Sequence, residues 1–244
     1  MHDRDMMRLY SDLALAYHEI YRSLFDYRGE FDYYHGKLKN LGCARILEIG
    51  CGTGHLASRL MEAGYDYTGF DLSPHMLEIA RREIPDGSFI LGDMRYIRSD
   101  EKYQAVLITG RTFIHLTKDE DVHRALDSIR TVIEPEGYLI FDCINSEYME
   151  ENFKTEMVSE TDAGVRRYRR ESRSKRVKGK GFLWEWDALY RIWENGEERQ
   201  ERDIMILRAF NRKELSDFLN HSGFEVVEIE RADIDLKTVA RVPS

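Results

Sequence analysis

One segment constrains the fold of this chain more than any other: an apolar strand that runs directly into a glycine-rich turn. The segment occupies residues 46–54 and reads ILEIGCGTG. Glycine tolerates positive φ angles and lets a ligand approach the main chain closely, so such a turn indicates a binding loop between a strand and a helix. Its spacing is G-x-G-x-G, and His55 stands where the dinucleotide pattern G-x-G-x-x-G requires another glycine. The G-K-[ST] sequence of a phosphate-binding loop is absent.

From Arg45 onward, short apolar runs alternate with amphipathic segments, which is typical of β-α-β units and a parallel sheet. We predict strands at 45–49, 66–70, 88–91, 104–109, 137–143 and 224–230. Helices are predicted between them, at 55–63, 74–84, 119–134 and 212–222. Capping signals mark three of the helix starts, namely Ser73 before Pro74, Thr117 with Glu120, and Asn211 with Glu214.

Two regions depart from this rhythm. Residues 1–40 place apolar side chains at three- and four-residue steps, which predicts a helical cap. The cap is rich in tyrosine, and these rings either pack on the core or cover a ligand. Residues 147–210 hold two strand-like runs around Asn195-Gly196, a dipeptide that favours the type I′ turn of a hairpin. Alternation in the first run places one set of side chains on a common face: Phe182, Trp184, Trp186, Ala188, Tyr190 and Ile192.

Acidic residues follow the second and third predicted strands. Asp71 comes about twenty positions after the glycines, where a carboxylate can accept hydrogen bonds from the two ribose hydroxyls of a nucleoside. Asp93 and Met94 follow the next strand and offer a carboxylate and a backbone N–H to an adenine ring. Either aspartate alone has a simpler explanation as a turn or helix-capping residue. Together with the glycine loop, they mark three successive strand ends.

This combination resembles the class I S-adenosylmethionine-dependent methyltransferases. The resemblance is carried by residues 48–54, 70–73, 92–94 and 105–116, and it covers 41–144 and 211–230. It implies an α/β fold: a Rossmann-like, mostly parallel seven-stranded sheet flanked by helices, with an N-terminal helical cap and an inserted antiparallel sheet. The expected division is a cap at 1–40, a cofactor-binding catalytic domain at 41–146 and 211–244, and an inserted subdomain at 147–210. The implied cofactor is S-adenosyl-L-methionine, with S-adenosyl-L-homocysteine as product.

The resemblance also implies a set of cofactor-binding residues. Gly50, Gly52 and Gly54 would approach the methionyl part, and Glu48 would lie beneath the loop. A tyrosine of the cap is expected near the cofactor. The full set is Tyr17, Tyr33, Glu48, Gly50, Cys51, Gly52, Gly54, Asp71, Leu72, Met76, Asp93, Met94 and Thr109.

Candidates for the acceptor side follow the fourth strand and line the inserted hairpin. Arg111 either clamps an anionic group of the acceptor or forms a surface ion pair. His115 either acts as a general base or is a buried, hydrogen-bonded histidine. The substrate-binding candidates are Arg111, Phe113, Trp186 and Tyr190, of which the last two alternatively form the core of the insertion. Methyl transfer needs a base only when the acceptor must first lose a proton, so no catalytic side chain is required by the chemistry.

Charge bears on the choice of acceptor. The chain of 244 residues has a net charge of -9, which argues against a nucleic-acid partner. Residues 166–180 nevertheless hold nine basic residues and one acidic residue, a local +8 that leaves -17 for the rest. This basic segment is either a solvated strand and loop paired with acidic neighbours or a site for an anionic acceptor or RNA. In the second case Tyr168 would stack on a base.

The remaining features favour a cytoplasmic enzyme without a metal. Asp3, Arg4 and Asp5 interrupt any signal-peptide core, and no apolar run is long enough to span a membrane. Three cysteines form no CxxC pair, and the histidines lack the spacing of metal ligands. The leading hypothesis is a methyltransferase for a small molecule, acting as a monomer or homodimer. The alternatives are an RNA- or protein-directed methyltransferase, a non-catalytic nucleoside-binding module and, disfavoured by His55, an NAD-dependent oxidoreductase.

Overall fold

The computed structural model describes residues 7–244. Asp3, Arg4 and Asp5, on which the expected lack of a signal peptide rests, lie outside this range, as does the start of the predicted cap. The described residues form eleven strands: β1 Arg45–Ile49, β2 Asp66–Asp71, β3 Ser88–Leu91, β4 Tyr103–Ile108, β5 Ile133–Ile144, β6 Glu156–Asp162, β7 Arg166–Arg176, β8 Phe182–Glu194, β9 Glu197–Ala209, β10 Glu225–Ala232 and β11 Asp235–Arg241. The α-helices are α1 Ala14–Leu24, α2 Tyr27–Leu41, α3 Ala57–Glu62, α4 Pro74–Glu83, α5 Asp119–Arg130, α6 Ser146–Asn152 and α7 Arg212–His221.

Seven strands form the main sheet in the order β10-β11-β5-β4-β1-β2-β3. The five strands β1 to β5 pair in parallel, and β11 lies antiparallel to both of its neighbours. Apolar side chains on alternate positions face opposite layers, because successive residues of a strand point to opposite sides of the sheet. Ile46 packs in the layer of α2, α3 and α4, whereas Leu47 packs in the layer of α5 and α7. The predicted mostly parallel seven-stranded sheet is therefore confirmed.

Two of the three predicted helix caps are present. The Ser73 hydroxyl accepts a hydrogen bond from the backbone N–H of Met76 at 3.1 Å, and the Asn211 side chain accepts one from Glu214 at 2.8 Å. The predicted capping box at Thr117 is wrong, because α5 has Lys118 at its N-cap position and no side-chain cap. This helix is stabilised instead by three acidic residues in its first turn, which interact favourably with the helix dipole. It also ends at Arg130, four residues before the predicted end.

The N-terminal part is helical but broken into pieces. A 3₁₀ turn at Arg8–Tyr10 precedes α1, and α2 follows after an N-cap at Asp26, whose carboxylate accepts a hydrogen bond from Gly29. Leu9, Leu13 and Ile20 are buried in the main core. These contacts hold α1 close to the carboxyl ends of the central strands.

The insertion forms an antiparallel sheet in the order β6-β7-β8-β9. Its central hairpin turns at Asn195 and Gly196, both with positive φ, as the type I′ motif requires. The side chains predicted to share a face of β8 do so: five are buried, and Trp186 is half-buried. Across residues 7–244, no helix is both long enough and apolar enough to cross a membrane.

Candidate functional site

A cleft lies at the carboxyl ends of β1, β2, β3 and β4, where ligands of parallel α/β sheets bind. It encloses about 900 Å³ of space free of protein atoms, part of it open to solvent. Its walls come from the glycine loop, the ends of β2 and β3, the segment after β4, and the cap. The lining residues are Met7, Tyr10, Tyr17, Ile49, Gly50, Gly52, Phe70, Asp71, Leu72, Ser73, Met76, Gly92, Asp93, Met94, Gly110, Thr112 and His115.

The glycine loop forms the floor of the cleft. Gly50 has a φ of 74°, and its N–H donates a hydrogen bond to the Phe70 carbonyl at 2.7 Å. A β-carbon at this position would collide with the Thr112 side chain, so glycine is required for packing as well as for conformation. Gly52 has a φ of 54°, and a β-carbon there would meet no protein atom within 4 Å. The main chain at Gly52 therefore faces open space in which a ligand fits.

Asp71 is fixed at the end of β2 by the loop that it serves. Its carboxylate accepts hydrogen bonds from the backbone N–H groups of Gly52 at 2.9 Å and Ser73 at 2.8 Å. Burial raises the pKa of Asp71, and the backbone N–H groups oppose that rise. A carboxylate has about four acceptor positions, so two remain for the hydroxyl groups of a ribose.

Asp93, at the end of β3, is held by Arg95. The Arg95 guanidinium donates to both carboxylate oxygens, with Nη2 2.6 Å from Oδ2, and it also lies 3.3 Å from Asp121. Burial alone would raise the pKa of Asp93, but the hydrogen bonds from Arg95 outweigh it and the pKa is lowered. Asp93 is therefore an ionised acceptor in a fixed orientation, beside Met94.

The cap contributes an aromatic wall. Tyr10 and Tyr17 both line the cleft, and Tyr17 stacks on Tyr21 with ring centroids 4.3 Å apart. The Tyr10 hydroxyl lies 3.2 Å from Nε2 of His115. Nδ1 of His115 has no hydrogen-bond partner in residues 7–244, and desolvation lowers the pKa of this histidine to about 4. At neutral pH the imidazole is uncharged, and burial disfavours its protonation.

Buried carboxylates lie beneath and beside the loop. Glu48 accepts hydrogen bonds from Tyr67 and from Thr109, which orients it under the glycine turn. Glu30 of α2 accepts a hydrogen bond at 3.2 Å from the N–H of Gly110, a cleft residue. Burial, with the charges of Asp142 and Glu48, raises the pKa of Glu30 to about 8.

The structure brings most of the predicted cofactor residues to one place. Nine of the predicted site residues line the cleft, namely Tyr17, Gly50, Gly52, Asp71, Leu72, Met76, Asp93, Met94 and His115. Four others lie behind this lining, with Cys51 and Gly54 in the loop and Glu48 and Thr109 beneath it. Sequence reasoning missed Tyr10 and Gly110 as lining residues, although Gly110 follows β4, where pocket residues were expected. Their individual contributions to binding stay predictions.

Several predicted site residues lie elsewhere. Tyr33 is not in the cleft, because the helical turn directs its ring to β11, where the Lys237 ammonium lies 3.7 Å from its centroid. Phe113 is fully buried between Phe141 and Phe210, and it does not line the cleft. Tyr190 is also buried in the core between the insertion and the main sheet.

Arg111 is engaged in a structural ion pair. Its guanidinium donates to both carboxylate oxygens of Asp235, at 2.7 and 3.0 Å, and its backbone N–H donates to Asp142. The alternative reading of Arg111 as an ion-pair residue is thus the one that the contacts support, and Arg111 does not line the cleft.

Several basic residues of the segment 166–180 form ion pairs with acidic residues of this same protein. Arg166 contacts Glu19 and Glu194, Arg169 contacts Glu160 and Glu171, and further pairs join Arg173 to Glu156, Lys175 to Glu185 and Lys180 to Asp119. Tyr168 is 2% exposed and donates a hydrogen bond to Glu19. The interpretation of Tyr168 as a base-stacking residue is therefore wrong, because its ring faces the core.

Known methyltransferases are similar to this chain in sequence. A methyltransferase domain model matches residues 46–137. A Bacillus subtilis (strain 168) protein, YqeM, which carries a provisional methyltransferase assignment, is 29% identical over 75% of this chain and 74% of its own length. The glycine/sarcosine N-methyltransferase of Halorhodospira halochloris is 34% identical over 47% of this chain. That match spans 45% of the Halorhodospira protein, less than half of its length.

A solved structure agrees with the fold. CalS10 with bound S-adenosylmethionine, an amino pentose methyltransferase from Micromonospora echinaspora, superposes with a TM-score of 0.78 at 21% identity, covering 93% of this chain and 96% of CalS10. In this chain the glycine loop and the acidic strand ends meet in one cleft. Residues 46–137 thus match a methyltransferase domain, and the fold is that of an S-adenosylmethionine-dependent methyltransferase of solved structure.

Proposed function

We propose that this protein transfers a methyl group from S-adenosylmethionine to a small-molecule acceptor. The observation that carries the proposal is the cleft itself, in which the glycine loop, Asp71 and Asp93 face a wall of cap tyrosines. The cofactor, when bound, supplies a methyl group activated by a sulfonium centre. The named relatives that act on glycine, sarcosine or an amino pentose support an acceptor of small size.

Each part of the cleft has a task in this proposal. Asp71 accepts hydrogen bonds from the ribose hydroxyls, while Asp93 and the backbone of Met94 hold the adenine. Open space at Gly52 admits the methionyl part. Tyr10 and Tyr17 exclude water and hold the acceptor in line, and orientation of this kind lowers a barrier by roughly 7–11 kcal/mol. Neutral His115 lines the cleft as a hydrogen-bonding group, and its lowered pKa makes it a weak base.

A nucleic-acid acceptor has less support. Two of the arginines that suggested it, Arg166 and Arg169, are paired with glutamates, which reduces the free positive charge of the segment. The cap also covers the cleft with Met7, Tyr10 and Tyr17. A cytoplasmic location, favoured by the cysteine pattern, belongs to the same proposal.

Calorimetric titration tests the cofactor part of the proposal. The full-length protein is expected to bind S-adenosylhomocysteine with a Kd in the micromolar range, about -8 kcal/mol, and to show no heat with NAD. Binding of NAD without S-adenosylhomocysteine would contradict the proposal. A screen with radiolabelled S-adenosylmethionine then tests transfer to amines, alcohols and carboxylates of low mass. Cofactor binding without transfer to any acceptor would favour a non-catalytic module.

A further inference from the structure

Among residues 7–244, a buried arginine of the inserted sheet has no carboxylate partner. Arg170 of β7 is 7% exposed, and none of its nitrogens forms a salt bridge within residues 7–244. On the same strand, Arg166, Arg169 and Arg173 each reach a glutamate within 4.0 Å. Nη1 of Arg170 donates a hydrogen bond to the Tyr21 hydroxyl at 2.9 Å, and its Nε has no partner.

Tyr190 presents a second unpaired donor beside it. Arg170 and Tyr190 are cross-strand neighbours in the pairing of β7 with β8, so both side chains point to the same face. Tyr190 is 0% exposed, and its hydroxyl finds no partner among the described residues. The rings of Tyr21 and Trp186 lie 5.7 and 5.8 Å from the guanidinium carbon.

The buried carboxylate of Asp203 forms no salt bridge with Arg170. Its two oxygens accept hydrogen bonds from the backbone N–H groups of Arg8 and Leu9, at 3.0 and 3.2 Å. Aromatic faces stabilise a buried cation by electrostatic attraction, but they leave Nε–H without an acceptor. A buried charge is costly unless it is paired and hydrogen-bonded. An oxyanion would supply both the acceptor and the negative charge that this arrangement lacks.

The pair lies next to the cleft. Tyr21, the hydrogen-bond partner of Arg170, stacks on Tyr17, which lines the cleft opposite the glycine loop. In the arrangement proposed below, a small acceptor extends past these two rings to reach Arg170, which does not itself line the cleft, while its nucleophile stays in the cleft. One guanidinium and one neutral hydroxyl match a single negative charge, as on a carboxylate, better than a phosphate dianion.

We propose that Arg170 and Tyr190 bind the carboxylate of the methyl acceptor. The substrates are then small carboxylic acids that carry an amine or hydroxyl nucleophile. This inference rests on the proposed function, because it assigns the acceptor class of the same site. The cofactor residues and the carboxylate residues are separate, so the two can fail independently.

The first test measures binding without turnover. Full-length protein saturated with S-adenosylhomocysteine is titrated with propionate, propionamide and inorganic phosphate, and the intrinsic fluorescence of the tryptophans, one of which is Trp186, is followed. Saturable binding of propionate is expected, with propionamide and phosphate binding at least about 30-fold more weakly. The amide carries no charge, and the phosphate dianion carries more negative charge than one guanidinium can balance. Equal binding of propionate and propionamide, or tighter binding of phosphate, would overturn the inference.

Variants locate the effect. Arg170→Gln should weaken propionate binding about 100-fold. Tyr190→Phe should weaken it about tenfold through the loss of one hydrogen bond to a charged group. The matched control is Arg173→Gln on the same strand, whose exposed pair with Glu156 faces solvent, and it should bind as the parent does. An equal loss in the control would count against the assignment.

Folding and cofactor binding are checked in parallel. Should Arg170→Gln fail to fold, Arg170→Lys and Tyr190→Phe decide: the lysine variant retains the charge and should keep weakened propionate binding, with propionamide still weaker. All folded variants should bind S-adenosylhomocysteine as the parent does. Failure of the parent protein to bind S-adenosylhomocysteine would refute the proposed function. Normal S-adenosylhomocysteine binding without preference for carboxylates would refute only the role of Arg170 and Tyr190.

Discussion

At the scale of single residues, Asp71 joins the glycine loop to the ligand. Its carboxylate accepts hydrogen bonds from two backbone N–H groups and has further acceptor positions free for a ligand. Asp71→Asn replaces one acceptor by an N–H₂ donor, which conflicts with those N–H groups, so S-adenosylhomocysteine affinity should fall by about 10- to 100-fold. Calorimetry measures it, with Asp66→Asn at the exposed start of the same strand as control. Equal losses in both variants would contradict a direct role for Asp71.

His115 makes a second prediction at this scale. Desolvation lowers its pKa to about 4, so the imidazole should stay neutral from pH 5.5 to 8. NMR of the protein with ¹³C-labelled histidine checks this, and the resonance lost in His115→Asn identifies the ring. A transition near pH 6.5, the value of a solvated histidine, would show that water reaches the ring.

The residues at strand ends could be predicted from the sequence because local chemistry marks them. Glycines with positive φ and acidic residues after apolar runs identify the loop and Asp71 without any tertiary information. Tyr10 and Tyr33 show what could not be predicted from the sequence. Both lie in a tyrosine-rich helical region, and which ring faces the cleft depends on how α1 and α2 turn against the sheet. Periodicity alone does not fix that rotation.

At the scale of elements, the strands flanked by glycine were located well, whereas β11 was missed. The turn between β10 and β11 contains Asp233 with a φ of 53° and no glycine, so it lacks the signal that revealed the turn at Asn195-Gly196. The helix starts show the same contrast. The start of α4 was predicted correctly from its Ser73 cap, whereas the predicted cap of α5 is absent and that helix begins with acidic residues. A turn or cap that depends on particular residue types can be predicted from the sequence. One that arises from tertiary packing cannot.

The inserted sheet and α1 are joined through Glu19. Its carboxylate accepts hydrogen bonds from Arg166 at 2.9 Å and from the buried Tyr168 hydroxyl. Glu19→Gln should lower stability by about 1–2 kcal/mol, because it removes a charge-assisted pair and disturbs a buried hydroxyl. Thermal unfolding measures this as a drop of about 3–6 °C in Tm.

The control for Glu19 is Glu156→Gln. Glu156 pairs with Arg173 at 3.5 Å, and both side chains are more than 70% exposed. Exposed ion pairs contribute little, so its Tm should change by less than about 2 °C. A comparable drop in both variants would show that Glu19 does not couple the insertion to the cap.

At the scale of the whole molecule, the net charge of -9 hides an uneven distribution. The basic strand β7 lies between β6 and β8 and meets glutamates on both, besides Glu19 of the cap. Its charge is thus used mostly to fix the insertion in place. Buried titratable groups remain on both sides of the cleft, Arg170 on one and Glu30 with Asp142 on the other.

The buried acids make stability depend on pH in a defined window. Burial raises the pKa of Glu30 to about 8, with Asp142 and Glu48 adding to the rise and Gly110 N–H and Lys237 opposing it. The folded state therefore retains a proton that the unfolded state has already lost, and stability falls as pH rises from 6.5 to 8. Below pH 6.5 the trend is compensated, because the lowered pKa of His115 favours folding at higher pH.

We therefore expect the free energy of unfolding to decrease by about 1–2 kcal/mol between pH 6.5 and pH 8.5, a fall of about 4 °C in Tm. Glu30→Gln cannot ionise, so its Tm should be nearly constant over this range and should exceed that of the parent at pH 8.5. Urea titrations at four pH values measure the free energies, with Glu62→Gln on the exposed face of α3 as control. If the free energy of unfolding still fell with pH in Glu30→Gln but no longer did so in Glu62→Gln, Glu30 would not be the titrating group.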